Sequence, residues 1–280
     1  MKHFISRRNF LKAVGVTAAA SAMAAAVPQA SAGFLTGKDA AVTILYTNDV
    51  HTYIDNKSPK LTYAAIAAMK QGYVDEGKPV LLVDAGDHIQ GTAYGSMDDG
   101  ATIIELMNEA GYDIATLGNH EFDYGMARAK AIIKEADFPY VSCNWVDLRT
   151  GLRVLPAVKL FPAGGKWIAF VGITTPESFT KSTPAYFMNA KQTKYIYDIL
   201  GGDDGRKLYD AVQRAIDKAK ALAQTSSSVW AIWALTRPLL PGPVRKSLPT
   251  PPALTPSSTA TLTPSWRTSG STMQPASLSP

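Results

Sequence analysis

Beyond residue 32 the chain has three histidines, and each sits in a short polar run: Asn48-Asp49-Val50-His51, Asp84-Ala85-Gly86-Asp87-His88 and Gly118-Asn119-His120-Glu121. Imidazole, carboxylate and amide oxygens suit divalent cations such as Mn, Fe or Zn, in contrast to a thiolate-dominated soft site. In Asp49-Val50-His51 the spacing puts the two polar side chains on the same side of an extended segment, so both can reach one cation. A lone strand-end aspartate is ordinarily a turn former or a helix cap. Three such runs, each at the end of an apolar stretch, mark a shared site.

The elements that must position these runs are legible as apolar segments. Residues 41–47, 79–83, 114–117, 140–142, 154–160 and 167–173 read as buried strands, and residues 61–71, 102–109, 126–136 and 205–223 carry helical patterns. Alternation of strand and helix predicts a layered α/β fold whose first strands are parallel. In such sheets ligands bind beyond the carboxyl ends of the strands, where all three runs fall. The last two strands lack a helix between them and are expected to form a hairpin about residues 162–165. Residues 176–202 read as a loop or short helices lying over the sheet.

Charge excludes one class of partner. Four of the 28 Lys and Arg lie in the first 32 residues and four beyond residue 224, leaving 20 against 23 acids, so no basic face for a nucleic-acid polymer is implied. The single cysteine, Cys143, permits no internal disulfide and reads as a small core residue.

The two ends differ from the middle. Residues 1–32 carry Lys2, Arg7, Arg8 and Lys12, then an Ala-rich apolar run, then Ala30-Ser31-Ala32, the pattern of a signal peptide cleaved before Gly33. That run is too short to be a stable membrane anchor. Ser6-Arg7-Arg8-Asn9-Phe10-Leu11-Lys12 resembles a twin-arginine signal, which implies the twin-arginine export machinery as a partner and a periplasmic or extracellular location. Residues 225–280 hold ten of the 18 prolines and no acid, and are expected to be a disordered tail following a 33–224 domain.

Asn48-Asp49-Val50-His51, Gly86-Asp87-His88-Ile89-Gln90-Gly91-Thr92 and Gly118-Asn119-His120-Glu121-Phe122-Asp123-Tyr124-Gly125 resemble, in order and spacing, the first three motifs of calcineurin-like metallophosphoesterases. The longer match, through Gly172-Ile173-Thr174-Thr175-Pro176-Glu177, is with the secreted 5′-nucleotidase and UDP-sugar hydrolase branch. The resemblance implies an α/β metallophosphoesterase sandwich of β-sheets flanked by helices, here incomplete at the C-terminus. It implies that Asp49 and His51 hold a first metal, that Asp87 bridges two metals and that Asn119 ligates the second. Such a pair of divalent ions, about 3.5 to 4 Å apart, clamps a phosphoester and acidifies a water. His120 would then stabilise the transferring phosphoryl group or assist the leaving oxygen, with Asp123 orienting it. Nucleotides, or another small phosphoester, are the implied substrate.

The pattern then breaks. The family has two later histidine motifs, a Gly-His and a Gly-His-x-His, but no histidine follows His120. Without them the second metal keeps only Asp87 and Asn119, too few ligands for tight binding. The family's C-terminal nucleoside-binding domain is also missing from the pattern. Shifting the frame by one base lets the codons for Pro256 to Pro264 spell Phe-Ile-Asp-Gly-His-Ser-His-Thr, which contains the missing motif. The expectation is therefore a 5′-nucleotidase-type hydrolase impaired by a frame-shifted tail. Alternatives are a non-catalytic metal- or phosphate-binding remnant, or a cyclic-nucleotide phosphodiesterase or sulfur-oxidation hydrolase on the same scaffold.

Overall fold

A computed structural model describes residues 40–54, 62–222 and 227–231. The expected signal peptide and residues 232–280 lie outside the described residues.

Strands Thr43–Thr47 (β1), Val80–Asp84 (β2) and Ile114–Ala115 (β3) form a parallel sheet in the order β1-β2-β3, with Thr43 opposite Val80 and Val83 opposite Ile114. All five residues of β2 are buried, as a central strand covered on both faces requires. Successive side chains divide between two cores. Leu45, Leu82 and Ala115 join one, Ile44, Leu81, Val83 and Ile114 the other.

The first core is closed by helices Tyr63–Asp75 (α1), Ala101–Ala110 (α3) and Gly125–Glu135 (α4), with the short helix Ala93–Ser96 (α2) packed against α3. Of these, α3 contributes Ile103, Ile104 and Met107, and α4 contributes Ala129 and Ile132. Thr62 starts α1 by accepting the Ala65 N–H at 3.2 Å, filling the N-cap that the helix otherwise leaves to water.

The chain continues through Trp145–Asp147 (β4), Leu152–Arg153 (β5), Val158–Ala163 (β6), Lys166–Val171 (β7) and Ser178–Lys181 (α5). It ends, among the described residues, with Tyr197–Ile199 (β8), Arg206–Leu222 (α6) and Ser227–Ala231 (β9). β6 and β7 pair antiparallel as the sequence led us to expect. Gly164 and Gly165 form their two-residue turn at φ +57° and +73°, the left-handed pair that a tight hairpin needs. β6 and β7 supply the second core with Phe161, Ala163, Ile168 and Phe170, and α6 packs Leu208, Ala211, Val212, Ala215 and Ala219 on the outer side.

Three expectations need correction. Residues 140–142 make no full strand: Val141 donates to Ala115, but Ser142 turns to Pro156 and Cys143 to Gly172, so the segment divides its backbone bonds among three neighbours. Residues 176–202 include β8, which joins β4 and β5 in a small antiparallel sheet that the sequence did not suggest. The tail from 225 is not wholly irregular: β9 pairs parallel with β7, Val171 opposite Ala231. Its Val229-Trp230-Ala231 has strand-forming character that the Pro- and Ser-rich average of the tail conceals.

Candidate metal centre

The parallel strands deliver three loops to the same sheet edge, and backbone bonds hold them against each other. The Asp49 N–H donates to the Gly86 carbonyl at 3.1 Å and the His51 N–H to that of Asp87 at 3.0 Å. Asp49, His51, Thr52 and Asp87 all sit in the left-handed region, at φ +53°, +48°, +57° and +60°. Non-glycine residues there store strain of about 1–3 kcal/mol each, which surrounding structure must over-determine. Close approach explains two glycines: a Cβ on Gly86 would lie 2.3 Å from the Gly118 nitrogen, and one on Gly118 would lie 2.3 Å from Asp87 Oδ1.

Within this frame His51, Asp87 and His120 each present a ligand atom within 4.8 Å of the others. The His51 Nδ1–H donates to the Gln90 carbonyl at 3.1 Å, which fixes the tautomer and leaves the Nε2 lone pair free. Asp49 lies beside it, its Oδ1 at 3.8 Å from that Nε2, while its Oδ2 accepts from the Asn48 amide at 2.6 Å. Asp87 Oδ1 accepts the His120 backbone N–H at 2.8 Å. Asp87 Oδ2 and Asn119 Oδ1 are buried with no hydrogen-bond partner. Buried oxygens are rarely left so, because an unmet acceptor forfeits its hydration without replacement. The Asp87 carboxylate grouped with two imidazoles, with the unmet Asn119 oxygen on the adjoining residue of the third loop, is a donor set that fits divalent cations.

His120 stands at the edge of the same group. Its ring belongs to the metal-competent group and packs edge-on to His51, with centroids 4.9 Å apart. It also has the expected orienting partner: Nδ1 bonds to Asp123 Oδ2 at 2.6 Å, which leaves Nε2 directed elsewhere, and Ser182 donates to Asp123 Oδ1 at 3.2 Å.

Sequence reasoning gave no role to Asp84 or Glu121, which form the layer beneath. The Glu121 carboxylate is fully buried and accepts three backbone N–H groups, from Asp87 at 2.9 Å, His88 at 2.9 Å and Gly118 at 2.6 Å. Asp84, also fully buried, accepts from Thr47 Oγ1 at 2.6 Å, the Gly86 N–H at 2.8 Å and His88 Nδ1 at 2.8 Å. His88 lies in this layer, beneath the metal-competent group. It is fully buried, and its Nε2 is hydrogen-bonded to the Tyr140 hydroxyl at 2.8 Å. The only sequence signal for this layer is the placing of acids inside the histidine runs. Thr92 ties the second loop to the first, its N–H donating to Thr52 Oγ1 at 2.6 Å.

Electrostatics follow from this crowding. Burial, reinforced by the Glu121 charge and by the neighbouring Asp49 carboxyl, pushes the Asp87 carboxyl up to about 8. Burial alone would lower the His88 imidazole, but Glu121 and Asp84 outweigh it and raise it to about 9. The Asp123 hydrogen bond, partly opposed by burial, holds His120 above its ordinary value. Burial likewise raises the Cys143 thiol to about 12, consistent with an inert core residue.

Comparison with known proteins agrees with this geometry. The family model of the calcineurin-like phosphoesterases matches residues 42–201. Human 5′-nucleotidase is 33% identical over 199 residues, covering 65% of this chain and 32% of its own length. Protein UshA of Salmonella pullorum is 30% identical over 191 residues, covering 66% and 34%. The chain thus spans about a third of the length of the curated relatives it matches. The crystal structure of a 5′-nucleotidase precursor from Thermus thermophilus superposes with a TM-score of 0.55 at 24% identity, over 69% of this chain and 37% of that one, and so shares the fold. With its loops, donor set and matched span taken together, the chain belongs to the calcineurin-like phosphoesterase family.

Proposed function

We propose that the protein is a metal-dependent phosphoester hydrolase of 5′-nucleotidase type, acting on nucleotides. The observation that carries this reading is the grouping of His51, Asp87 and His120, together with two buried, unpartnered oxygens, Asp87 Oδ2 and Asn119 Oδ1, on the loops that bear them. Asp49 and His51 would hold one divalent cation, Mn, Zn or Fe, Asn119 a second, and Asp87 would be shared. When bound, such ions polarise a phosphoryl oxygen and make a water nucleophilic near neutral pH. The residues supply the rest. Gln90 holds the His51 ring with Nε2 toward the site. Asp123 fixes the His120 ring, so that a proton on Nε2 can be given to the departing oxygen of the substrate. The left-handed loops keep these groups in place before substrate arrives, so little reorganisation remains to be done.

Export by the twin-arginine route to the periplasm or medium belongs to the same reading, and N-terminal sequencing of exported protein should begin at Gly33 rather than Met1. Among the described residues no helix is long and apolar enough to cross a membrane. We further propose that residues 33–224 are the catalytic part and that the remainder is a shifted frame, which leaves the second cation short of imidazoles. The test is phosphate release from AMP with manganese, together with metal content. The chain as written should bind about one equivalent and turn over little, and restoring the frame should bring two equivalents and hydrolysis. Vigorous two-metal hydrolysis by the unrepaired chain would remove the frame-shift reading; a repaired chain without either would remove the enzyme reading in favour of a binding remnant.

A further inference from the structure

The loops that carry Asp87 and Asn119 are joined by a reciprocal pair of interactions, and one side chain makes most of them. Glu121 reaches from the third loop to the second, where its two oxygens accept the N–H groups of Asp87 and His88 at 2.9 Å each. The same carboxylate accepts the Gly118 N–H at 2.6 Å, immediately before Asn119. In return Asp87 Oδ1 accepts the His120 N–H at 2.8 Å. With both oxygens of Glu121 and one of Asp87 engaged, Asp87 Oδ2 and Asn119 Oδ1 are the acceptors left over.

We propose that Glu121 is a positioning residue, which never meets a cation but sets the separation of the Asp87 and Asn119 donors by clamping the backbone on either side of them. The geometry requires a carboxylate of this length. An amide in its place keeps one acceptor and turns an NH2 group toward the N–H groups that the second oxygen receives, a like-to-like clash of donors. An aspartate is one methylene too short to span the loops. Gly86 and Gly118 make the clamp possible, since a Cβ on either would force the two loops apart. Partners that orient ligands in this way change metal affinity by about 10- to 100-fold when removed.

This inference rests on the metal reading above, and two measurements separate their fates. The first uses the full chain freed of metal: amide hydrogen exchange at Asp87, His88 and Gly118, in the native protein and in Glu121→Gln. The second titrates both with manganese, alongside Ile132→Val, a core change in α4 that lowers stability without touching the loops. The expected result is faster exchange at all three amides and manganese binding weakened about 10- to 100-fold in Glu121→Gln, with affinity unchanged in Ile132→Val. Unchanged exchange at these amides overturns the clamp. So does faster exchange with manganese affinity intact, or an equal loss of affinity in Ile132→Val. If the native chain takes up no manganese while Glu121→Gln still frees the amides, the clamp stands and the metal reading falls.

Discussion

Asp87→Asn should stabilise the metal-free chain at high pH while removing its metal site. The carboxyl is raised from 3.8 to about 8, chiefly by burial and then by the charge of Glu121. Because the folded value lies above the unfolded one, the stability tied to its proton is complete below pH 3.8 and is lost as pH climbs to about 8. At about 1.4 kcal/mol per pH unit, the raised value costs the fold about 6 kcal/mol at pH 9 and about 2 kcal/mol at pH 5, where the folded carboxyl is still protonated and the unfolded one is ionised. Asparagine removes that burden and still accepts the His120 N–H. Its amide nitrogen, however, takes the place of an oxygen with no partner, at a cost of about 1–3 kcal/mol. The difference favours the variant by about 3–5 kcal/mol at pH 9, and leaves the two proteins close to equal at pH 5. Urea unfolding in EDTA at both pH values measures this, and comparing two proteins at each pH cancels the titrating groups that do not sense Asp87. Added manganese should then raise the midpoint of the native chain and leave that of the variant in place. A variant less stable than the native chain at pH 9 would show that Asp87 is not a carboxylate held against its preference, and the reasoning would fail at its first step.

Three further outcomes are expected. Tyr140→Phe deprives the buried His88 Nε2 of its hydrogen-bond partner and should lower unfolding free energy by about 1–3 kcal/mol in urea titration. Gly118→Ala drives a methyl into Asp87 Oδ1, 2.3 Å away, and should cost more than about 1 kcal/mol while abolishing manganese uptake measured by calorimetry. Cys143, 1% exposed with its thiol raised to about 12, should react with Ellman's reagent only after unfolding, at one equivalent per chain.

The candidate site was legible because parallel strands deliver their carboxyl ends to one edge, so three histidine runs after three apolar segments had to meet. Asp49, His51, Asp87, Asn119, His120 and Asp123 fall there for that reason. Glu121 and His88 were not legible in the same way. A glutamate beside a histidine looks the same in sequence whether it faces water or the underside of a loop, and here its burial depends on the second loop crossing over the third. The small sheet was hidden by length, since strands of two and three residues such as Leu152–Arg153 and Trp145–Asp147 are too short to show a period of two. β9 was hidden by averaging, an apolar strand inside a tract whose composition reads as irregular.

The pairings in the fold also differ in how far apart along the chain their strands lie. β6 with β7 and β4 with β5 are joined by short turns, so little chain entropy opposes their closure. β1 with β2, β2 with β3 and β7 with β9 are parallel, and each must wait for an intervening stretch of chain to fold back. The order of assembly expected from this is hairpins early and parallel ladders late. The loops bearing Asp49, Asp87 and Asn119 acquire their mutual distances only when the slow ladders close, so a cation encountering the nascent chain meets scattered single donors instead of a chelating site.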